Sequence, residues 1–199
     1  MDQLSFSIKH GKAILSVLDD LAALRIRIFR AFPYLYEGTI DYELTYLQTY
    51  TDCPQSFLFC VYDGNKMIGA TTCIPLVYET KEVQLPFIKS GMDIANIMYY
   101  GESMLDETYR GRGIGKLFFE EREKYSTSLK SINTACFCAV ERPDNHPLKP
   151  DYYTPHDIFW TKMGFSKNPD IFSCFEWQDL HEDSPTSKKM VYWFKKITK

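Results

Sequence analysis

The architecture of this chain follows from one run of residues, Ile97-Met-Tyr-Tyr-Gly-Glu-Ser-Met-Leu-Asp-Glu-Thr-Tyr-Arg-Gly-Arg-Gly-Ile-Gly-Lys-Leu-Phe-Phe-Glu-Glu-Arg122. Residues 97–105 are apolar and aromatic, which predicts an interior strand, and the turn formers of 106–110 end it. Residues 116–124 repeat apolar side chains at helical period. Between strand and helix, three glycines occupy alternate positions: Gly111, Gly113 and Gly115.

These glycines indicate a place that can bind phosphate. A glycine backbone adopts positive φ readily and lets a ligand come close to its N–H groups. The first turn of a helix adds unpaired N–H groups and the positive end of the helix dipole. A plain tight turn is the alternative explanation. Spacing excludes two common phosphate loops: a Walker loop needs a wider gap between its glycines and a hydroxyl where Leu117 stands, and a dinucleotide fingerprint needs a glycine where Lys116 stands.

The pattern that does fit is Arg110-x-x-Gly113-x-Gly115 between a strand and a helix, which resembles the pyrophosphate loop of the GNAT superfamily of N-acyltransferases. A second motif supports the resemblance: Trp160-Thr-Lys-Met-Gly-Phe165 stands about fifty residues further along, where that family ends a short helix. The runs Glu141-Arg-Pro-Asp-Asn-His-Pro147 and Lys189-Met-Val-Tyr-Trp193 are similar to a bacterial GNAT subgroup without assigned substrates.

Composition agrees with one globular domain over residues 1–199. The chain is 45% hydrophobic and 16% aromatic, and its net charge of −3 gives no reason to expect nucleic acid or a membrane as partner. The sequence contains no apolar run of about 20 residues and no signal-peptide pattern, so we expect a cytoplasmic protein. Its six cysteines form no C-x-x-C pair and indicate reduced thiols, not metal ligands.

The remaining segments predict a mixed α/β chain. Two helices follow the first strand; in the first of them Arg25, Arg27 and Arg30 lie opposite the apolar positions, and Asp41 caps the second. The family implies an α/β (α+β) fold with a mixed, mainly antiparallel central sheet of about six to seven strands and helices on both faces. The predicted strands are 4–8, 56–62, 67–78, 97–105, 132–140, 170–180 and 190–197, and the predicted helices are 13–32, 41–49, 116–124 and 157–163.

Two of these strands are predicted to be parallel neighbours. Residues 97–105 and 132–140 are joined through the helix after the glycine turn, which is a βαβ arrangement. Residues 79–90 are less regular and leave a short helix or an insertion open. Residues 141–154 hold three prolines and predict an irregular loop.

The resemblance implies acetyl-CoA as co-substrate, without a metal. It assigns the pyrophosphate to the turn between the predicted strand and helix, and the pantetheine arm to backbone groups of Leu105 and Asp106. The residues of the turn are Arg110, Gly111, Arg112, Gly113, Ile114, Gly115 and Lys116.

For proton transfer, the first candidate base is Glu102, because a carboxylate in an apolar strand is unusual. A surface or salt-bridged carboxylate is the alternative. Glu141 and His146 are second candidates for the base. The family's usual acid is a tyrosine at the position of Trp160; an indole cannot deliver a proton, and Tyr153 or Tyr152 is the nearest substitute.

The function that follows is direct transfer of an acetyl group from acetyl-CoA to a primary amine, with a small molecule as the expected acceptor. Three tyrosines, Tyr34, Tyr36 and Tyr46, either line the acceptor pocket or pack the two helices. The alternatives are a CoA-binding sensor with little activity, a nucleotide-phosphate enzyme, and an enzyme for a longer acyl-CoA. The sequence leaves a homodimer open.

Overall fold

The computed structural model describes residues 4–198, which form eight strands and five α-helices around one mixed sheet. The strand order is β1-β2-β3-β4-β6-β8-β7, and β5 pairs with β3 beside this path. The strands are β1 (Ser5–Lys9), β2 (Phe57–Asp63), β3 (Lys66–Pro75), β4 (Ile97–Tyr99), β5 (Ser103–Leu105), β6 (Thr134–Val140), β7 (Ser166–Trp177) and β8 (Thr186–Lys196). The helices are α1 (Leu18–Phe29), α2 (Ile40–Asp52), α3 (Lys81–Lys89), α4 (Ile114–Ser128) and α5 (Asp157–Lys162).

The central strand is interrupted, which the sequence did not predict. Residues 97–105 form two short strands, β4 and β5, separated by Tyr100 to Glu102. Gly101 lies at the break, and a Cβ at this position would lie 1.9 Å from the hydroxyl of Tyr50. The backbone therefore passes against the tyrosine at a point where only glycine fits.

The pairing of β4 confirms the predicted βαβ arrangement. β4 lies parallel to β6, with Tyr99 opposite Cys136, and α4 connects the two strands on one face of the sheet. All other pairs in the sheet are antiparallel. The mixed, mainly antiparallel sheet is thus confirmed.

Two hydrophobic clusters cover the two faces of the sheet. One cluster includes residues of α1, α2 and α3, such as Leu21, Leu47 and Phe87. The other includes residues of α4, such as Phe118, and α5 packs on it through Phe159. Helices on both faces are therefore confirmed.

Three local predictions in the first helices are wrong. Residues 11–17 form a 3-10 helix, so α1 spans Leu18–Phe29 and not the predicted residues 13–32. Arg25 is buried, because Glu43 of α2 and Glu102 both contact its guanidinium. The cap of α2 is Thr39, whose side chain accepts a hydrogen bond from the Tyr42 N–H, and not Asp41.

The irregular segment after β3 contains α3, and Val83 and Phe87 of that helix are buried. The long loop between β6 and α5 contains no helix or strand, as its prolines predict. In the part of the chain that the structure describes, no helix combines the length and apolar character needed to cross a bilayer.

Candidate active site

The glycine turn joins the interrupted central strand to α4. Gly111 and Gly113 both adopt positive φ, at +75° and +84°, and a Cβ at either position would point into open space. α4 begins directly after Gly113, so the N–H groups of its first turn have no partner within the helix. The side chains of Arg110, Arg112 and Lys116 are exposed around the turn. This is an accessible, positively charged N-terminus that suits a phosphate group.

The free edge of β5 lies directly before this turn. Ala70 of β3 stands opposite Met104, and the Asp106 N–H donates to the Ile68 carbonyl at 2.8 Å. Because antiparallel hydrogen bonds alternate along a strand, Ser103 and Leu105 direct their backbone groups away from β3. Among residues 4–198, no strand pairs with that side of β5.

This register changes one prediction. Leu105 presents its backbone to the open edge, as expected for a residue that contacts an extended ligand. Asp106 does not, since its N–H is already bonded to β3. Ser103 takes the equivalent position, and no sequence signal pointed to it because the register was unknown.

Glu102 lies at the break between β4 and β5, with its carboxylate inside a buried polar cluster. It contacts the guanidinium of Arg25 and accepts hydrogen bonds from Tyr46 Oη at 2.9 Å and Thr72 Oγ1 at 2.6 Å. Arg25 also contacts Glu43, and its guanidinium lies 4.4 Å from the centre of the Tyr46 ring. The sequence left open whether Glu102 is a catalytic base or a surface or salt-bridged carboxylate. In the structure Glu102 is salt-bridged, to Arg25. Its role as a base stays a prediction.

Nearly the full length of the chain superimposes on solved acetyltransferase structures. Arabidopsis thaliana NAA60 in complex with acetyl-CoA is 16% identical with a TM-score of 0.60, covering 98% of this chain and 99% of that one. A Streptococcus pneumoniae acetyltransferase of the GNAT family is 12% identical with a TM-score of 0.58, covering 98% and 100%. An acetyltransferase from Thermus thermophilus is 13% identical with a TM-score of 0.56, covering 98% and 99%.

The chain has the GNAT fold. No protein-family model matches the sequence, and neither does any curated protein. The GNAT resemblance drawn from the glycine motif is therefore confirmed at the level of the fold. The sheet has eight strands where about six to seven were predicted, and the break at Gly101 accounts for one of them.

At the GNAT position that often holds a tyrosine, Trp160 is partly buried and packs against two aromatic rings. Its ring centre lies 5.1 Å from that of Phe137 and 5.2 Å from that of Trp193. The two substitutes proposed from sequence differ sharply in exposure. Tyr152 is 81% exposed, whereas Tyr153 is half-buried and meets Phe32 edge to face at 4.6 Å. Burial raises the pKa of Tyr153, so its hydroxyl keeps its proton at neutral pH.

Of the second candidates for the base, Glu141 is poorly suited to that role in the structure. Glu141 follows β6 as expected, but it pairs with Lys167 and Lys189, both at 3.0 Å. Their hydrogen bonds and charges lower the pKa of Glu141, which weakens it as a proton acceptor. His146 lies in the proline loop, 5.5 Å from the ring of Phe32.

The three tyrosines predicted near the acceptor pocket have packing contacts, and one also enters the polar cluster. Tyr34 packs on Phe29 at 4.6 Å, and Tyr36 meets Tyr42 at 6.5 Å. Tyr46 hydrogen-bonds Glu102. For Tyr46, packing between the helices is therefore compatible with the prediction that this residue lines the acceptor pocket.

The loop between α1 and α2 is held in place by a set of contacts that we call the Arg142 clamp, formed by Pro33, Tyr34, Arg142, Trp177 and Asp179. Arg142 donates to the carbonyls of Pro33 at 2.8 Å and Tyr34 at 2.9 Å. The Trp177 indole N–H donates to the same Tyr34 carbonyl at 3.0 Å. The clamp joins the helical pair, the proline loop and the end of β7.

Sequence reasoning missed one buried acid, Glu79, which follows β3. Only 5% of its surface is exposed, and burial raises its pKa to about 7, with the charge of Glu102 adding to the effect. The signal in the sequence was a glutamate directly after the long apolar run of β3, but residues 79–90 were predicted only as a short helix or an insertion.

Proposed function

We propose that this protein is an N-acetyltransferase that transfers an acetyl group from acetyl-CoA to a primary amine. The observation that carries the proposal is the continuity between the free edge of β5 and the open N-terminus of α4. An extended arm that adds to the strand edge leads directly to the glycine turn, where a pyrophosphate is neutralised. The acetyl-CoA and bisubstrate-analogue complexes of NAA60, which share the fold, support this assignment.

In this proposal the turn from Arg110 to Lys116 binds the pyrophosphate of acetyl-CoA. The backbone of Ser103 and Leu105 binds the pantetheine arm in place of a strand. Because Gly111 and Gly113 carry no side chain, the phosphate oxygens can approach the N–H groups of the turn.

The chemistry then needs a proton acceptor, a donor for the thioester oxygen and an acid for the thiolate. The backbone N–H of Gly101, at the break in the central strand, stabilises the charge that develops on the thioester oxygen. The N–H groups of Tyr100 and Glu102 on either side already donate to the Cys136 carbonyl and to Thr72 Oγ1. Glu102 accepts the proton of the acceptor ammonium, and Tyr153 supplies a proton to the leaving sulfur. The amine lone pair attacks the carbonyl carbon and the C–S bond breaks. The attacking nitrogen then loses its second proton to the Tyr153 phenolate, so an amide and the CoA thiol leave and the tyrosine ends protonated.

The acceptor is a small amine in this proposal. The six free cysteines fit a reducing compartment such as the cytoplasm.

Calorimetric titration with acetyl-CoA, repeated with ATP and NAD, tests the proposal. We expect acetyl-CoA alone to bind. Binding of ATP in its place would move the assignment to phosphoryl chemistry, and no binding of acetyl-CoA would reject the transferase.

CoA release with a panel of primary amines then separates an enzyme from a CoA-binding module. Glu102→Gln and Tyr153→Phe are expected to lower turnover sharply while sparing acetyl-CoA affinity. Tyr152→Phe is the matched control for Tyr153, since that neighbouring side chain is exposed. Unchanged turnover in Glu102→Gln would remove Glu102 from the mechanism.

A further inference from the structure

Helix α4 carries a buried arginine that no acid neutralises. Only 1% of the surface of Arg122 is exposed, and its guanidinium lies 4.3 Å from the centre of the Tyr100 ring and 4.5 Å from that of Phe119. Among residues 4–198, no carboxylate forms an ion pair with Arg122, and its Nη2 has no hydrogen-bond partner. Burial lowers the pKa of Arg122 to about 10, so the side chain is still charged at neutral pH. A buried charge without a counter-ion is costly to a fold, which points to a role beyond packing.

The hydrogen bonds of Arg122 lead to the break in the central strand. Its Nε donates to the Phe118 carbonyl of the same helix at 3.2 Å, and its Nη1 donates to the Glu102 carbonyl at 3.3 Å. The Glu102 carbonyl also accepts from the Thr72 N–H at 3.1 Å and from Thr71 Oγ1 at 2.7 Å. Three donors, one of them charged, therefore converge on a single carbonyl oxygen.

That carbonyl belongs to the peptide between Glu102 and Ser103. The C=O and N–H of a trans peptide point in opposite directions, so a carbonyl fixed towards β3 directs the Ser103 N–H towards the open edge of β5. Hydrogen bonds that a carbonyl accepts also polarise its amide and make the N–H a stronger donor. Arg122 thus affects both the direction and the donor strength of an N–H that faces any ligand added to this edge.

We propose that Arg122 is a positioning residue for acyl-CoA, which acts through the Glu102–Ser103 peptide and aims the Ser103 N–H at the pantetheine arm. This inference rests on the proposed acetyl transfer, and it adds a buried residue that does not touch the ligand. Arg122 reaches the break from the α4 face of the sheet, whereas Arg25 contacts the Glu102 carboxylate from the α1 face. The residue at the break is therefore held on both sides, its side chain by one arginine and its carbonyl by the other.

A packing role is the alternative, because contacts with Tyr100 and Phe119 could by themselves stabilise α4. The two roles predict different effects of Arg122→Met. Methionine leaves no acceptor unpaired at the break, since the Glu102 carbonyl keeps its two threonine donors. It also removes the desolvation cost of the charge, so stability should stay the same or increase if Arg122 serves the peptide. If Arg122 only packs, stability should fall.

The test compares two ligands that differ by the acetyl-pantetheine arm. Calorimetry measures the binding of acetyl-CoA and of 3′-phospho-ADP, which is the nucleotide part of CoA, to the full-length protein. Arg122→Met should weaken acetyl-CoA binding about tenfold and leave 3′-phospho-ADP binding within about twofold of the wild type. The midpoint of its urea unfolding should be equal to that of the wild type or higher.

Thr71→Val is a second variant, which removes another donor from the same carbonyl without changing α4. It should weaken acetyl-CoA binding about threefold and leave 3′-phospho-ADP binding unchanged. Lys124→Met is the matched control. It removes a positive charge from the same helix, two residues further along at an exposed side chain, and should bind both ligands as the wild type does.

The outcomes separate this inference from the transferase itself. Equal acetyl-CoA affinity in the wild type, Arg122→Met and Thr71→Val would overturn the positioning role alone. A lower urea midpoint in Arg122→Met with an equal loss of both ligands would also overturn it, because a side chain that only packs gives that result. Failure of the wild type to bind acetyl-CoA would reject the acetyl transfer and the positioning role together.

Discussion

Arg142 holds Asp179 through two parallel contacts, Nη1 to Oδ2 at 2.7 Å and Nη2 to Oδ1 at 2.8 Å. The same guanidinium binds the carbonyls of Pro33 and Tyr34. One side chain thus fixes the loop between α1 and α2 against the end of β7. Because the geometry is that of a planar fork, a lysine cannot replace it.

Arg142→Lys should therefore reduce the free energy of unfolding by about 2 kcal/mol, since buried partners lose their hydrogen bonds. It should also weaken acceptor binding more than acetyl-CoA binding, because the clamp lies away from the glycine turn. Urea unfolding and the KM values of both substrates measure these effects. Arg30→Lys is the control: the Arg30–Glu37 pair is exposed and should contribute little. If Arg142→Lys and Arg30→Lys lowered the free energy of unfolding equally, the stabilising role of the Arg142 clamp would be contradicted.

The glycine turn yields a second prediction. Gly113→Ala places a side chain at a φ of +84° in open space, so strain should cost about 1 kcal/mol of stability without a clash. The added methyl group also stands where a phosphate would approach the turn. Acetyl-CoA affinity should fall at least about tenfold, which is about 1.4 kcal/mol.

Gly64→Ala provides the comparison for this change. Gly64 has a φ of +57° and open space around it, but it lies in the hairpin between β2 and β3. It should lose similar stability and keep its acetyl-CoA affinity in calorimetry. A loss of affinity in Gly64→Ala as large as in Gly113→Ala would mean that global destabilisation, not the turn itself, explains the result.

Much of this architecture could be predicted because local sequence patterns determine it. The hairpin from β2 to β3, the strand–turn–helix around Gly113 and the parallel pairing of β4 with β6 all follow from periodicity and turn residues. The fold class follows from their order.

The candidate site could be predicted only in part, because its contacts join distant segments. At the break in the central strand Tyr50 approaches Gly101, and no local pattern encodes that approach. Arg25 is on the polar side of its helix by sequence, yet two buried glutamates from other elements contact it. Glu79 was missed for the same reason, since its burial is created by α2 and the sheet and not by its neighbours in sequence.

Glu79 also makes stability depend on pH. The pKa of Glu79 rises from 4.5 in the unfolded chain to about 7 in the folded protein. The contribution of this side chain to the free energy of unfolding is therefore complete below pH 4.5 and is lost as the pH rises through about 7. A shift of this size corresponds to a loss on the order of 3 kcal/mol at alkaline pH. Glutamine cannot ionise, so Glu79→Gln does not suffer this loss. Relative to the wild type, its free energy of unfolding should therefore be higher at alkaline pH than at acid pH. Urea unfolding at the two extremes measures this gain, and Glu82→Gln should show much less of it.

The close approach at the interrupted strand can be tested through Gly101 and Tyr50. Gly101→Ala brings a methyl group into the Tyr50 hydroxyl and close to Thr72, so the buried backbone or the tyrosine must move, at a cost of about 1 to 3 kcal/mol. Tyr50→Phe removes the nearest atom of that contact. In a protein that already carries Tyr50→Phe, the same glycine substitution should therefore cost less, with a coupling energy of at least about 0.5 kcal/mol between the two positions. Purely additive effects in this double-mutant cycle would show that the Tyr50 hydroxyl does not restrict position 101. A coupled pair would show that the hydroxyl and a side chain at position 101 compete for the same space at the break between β4 and β5.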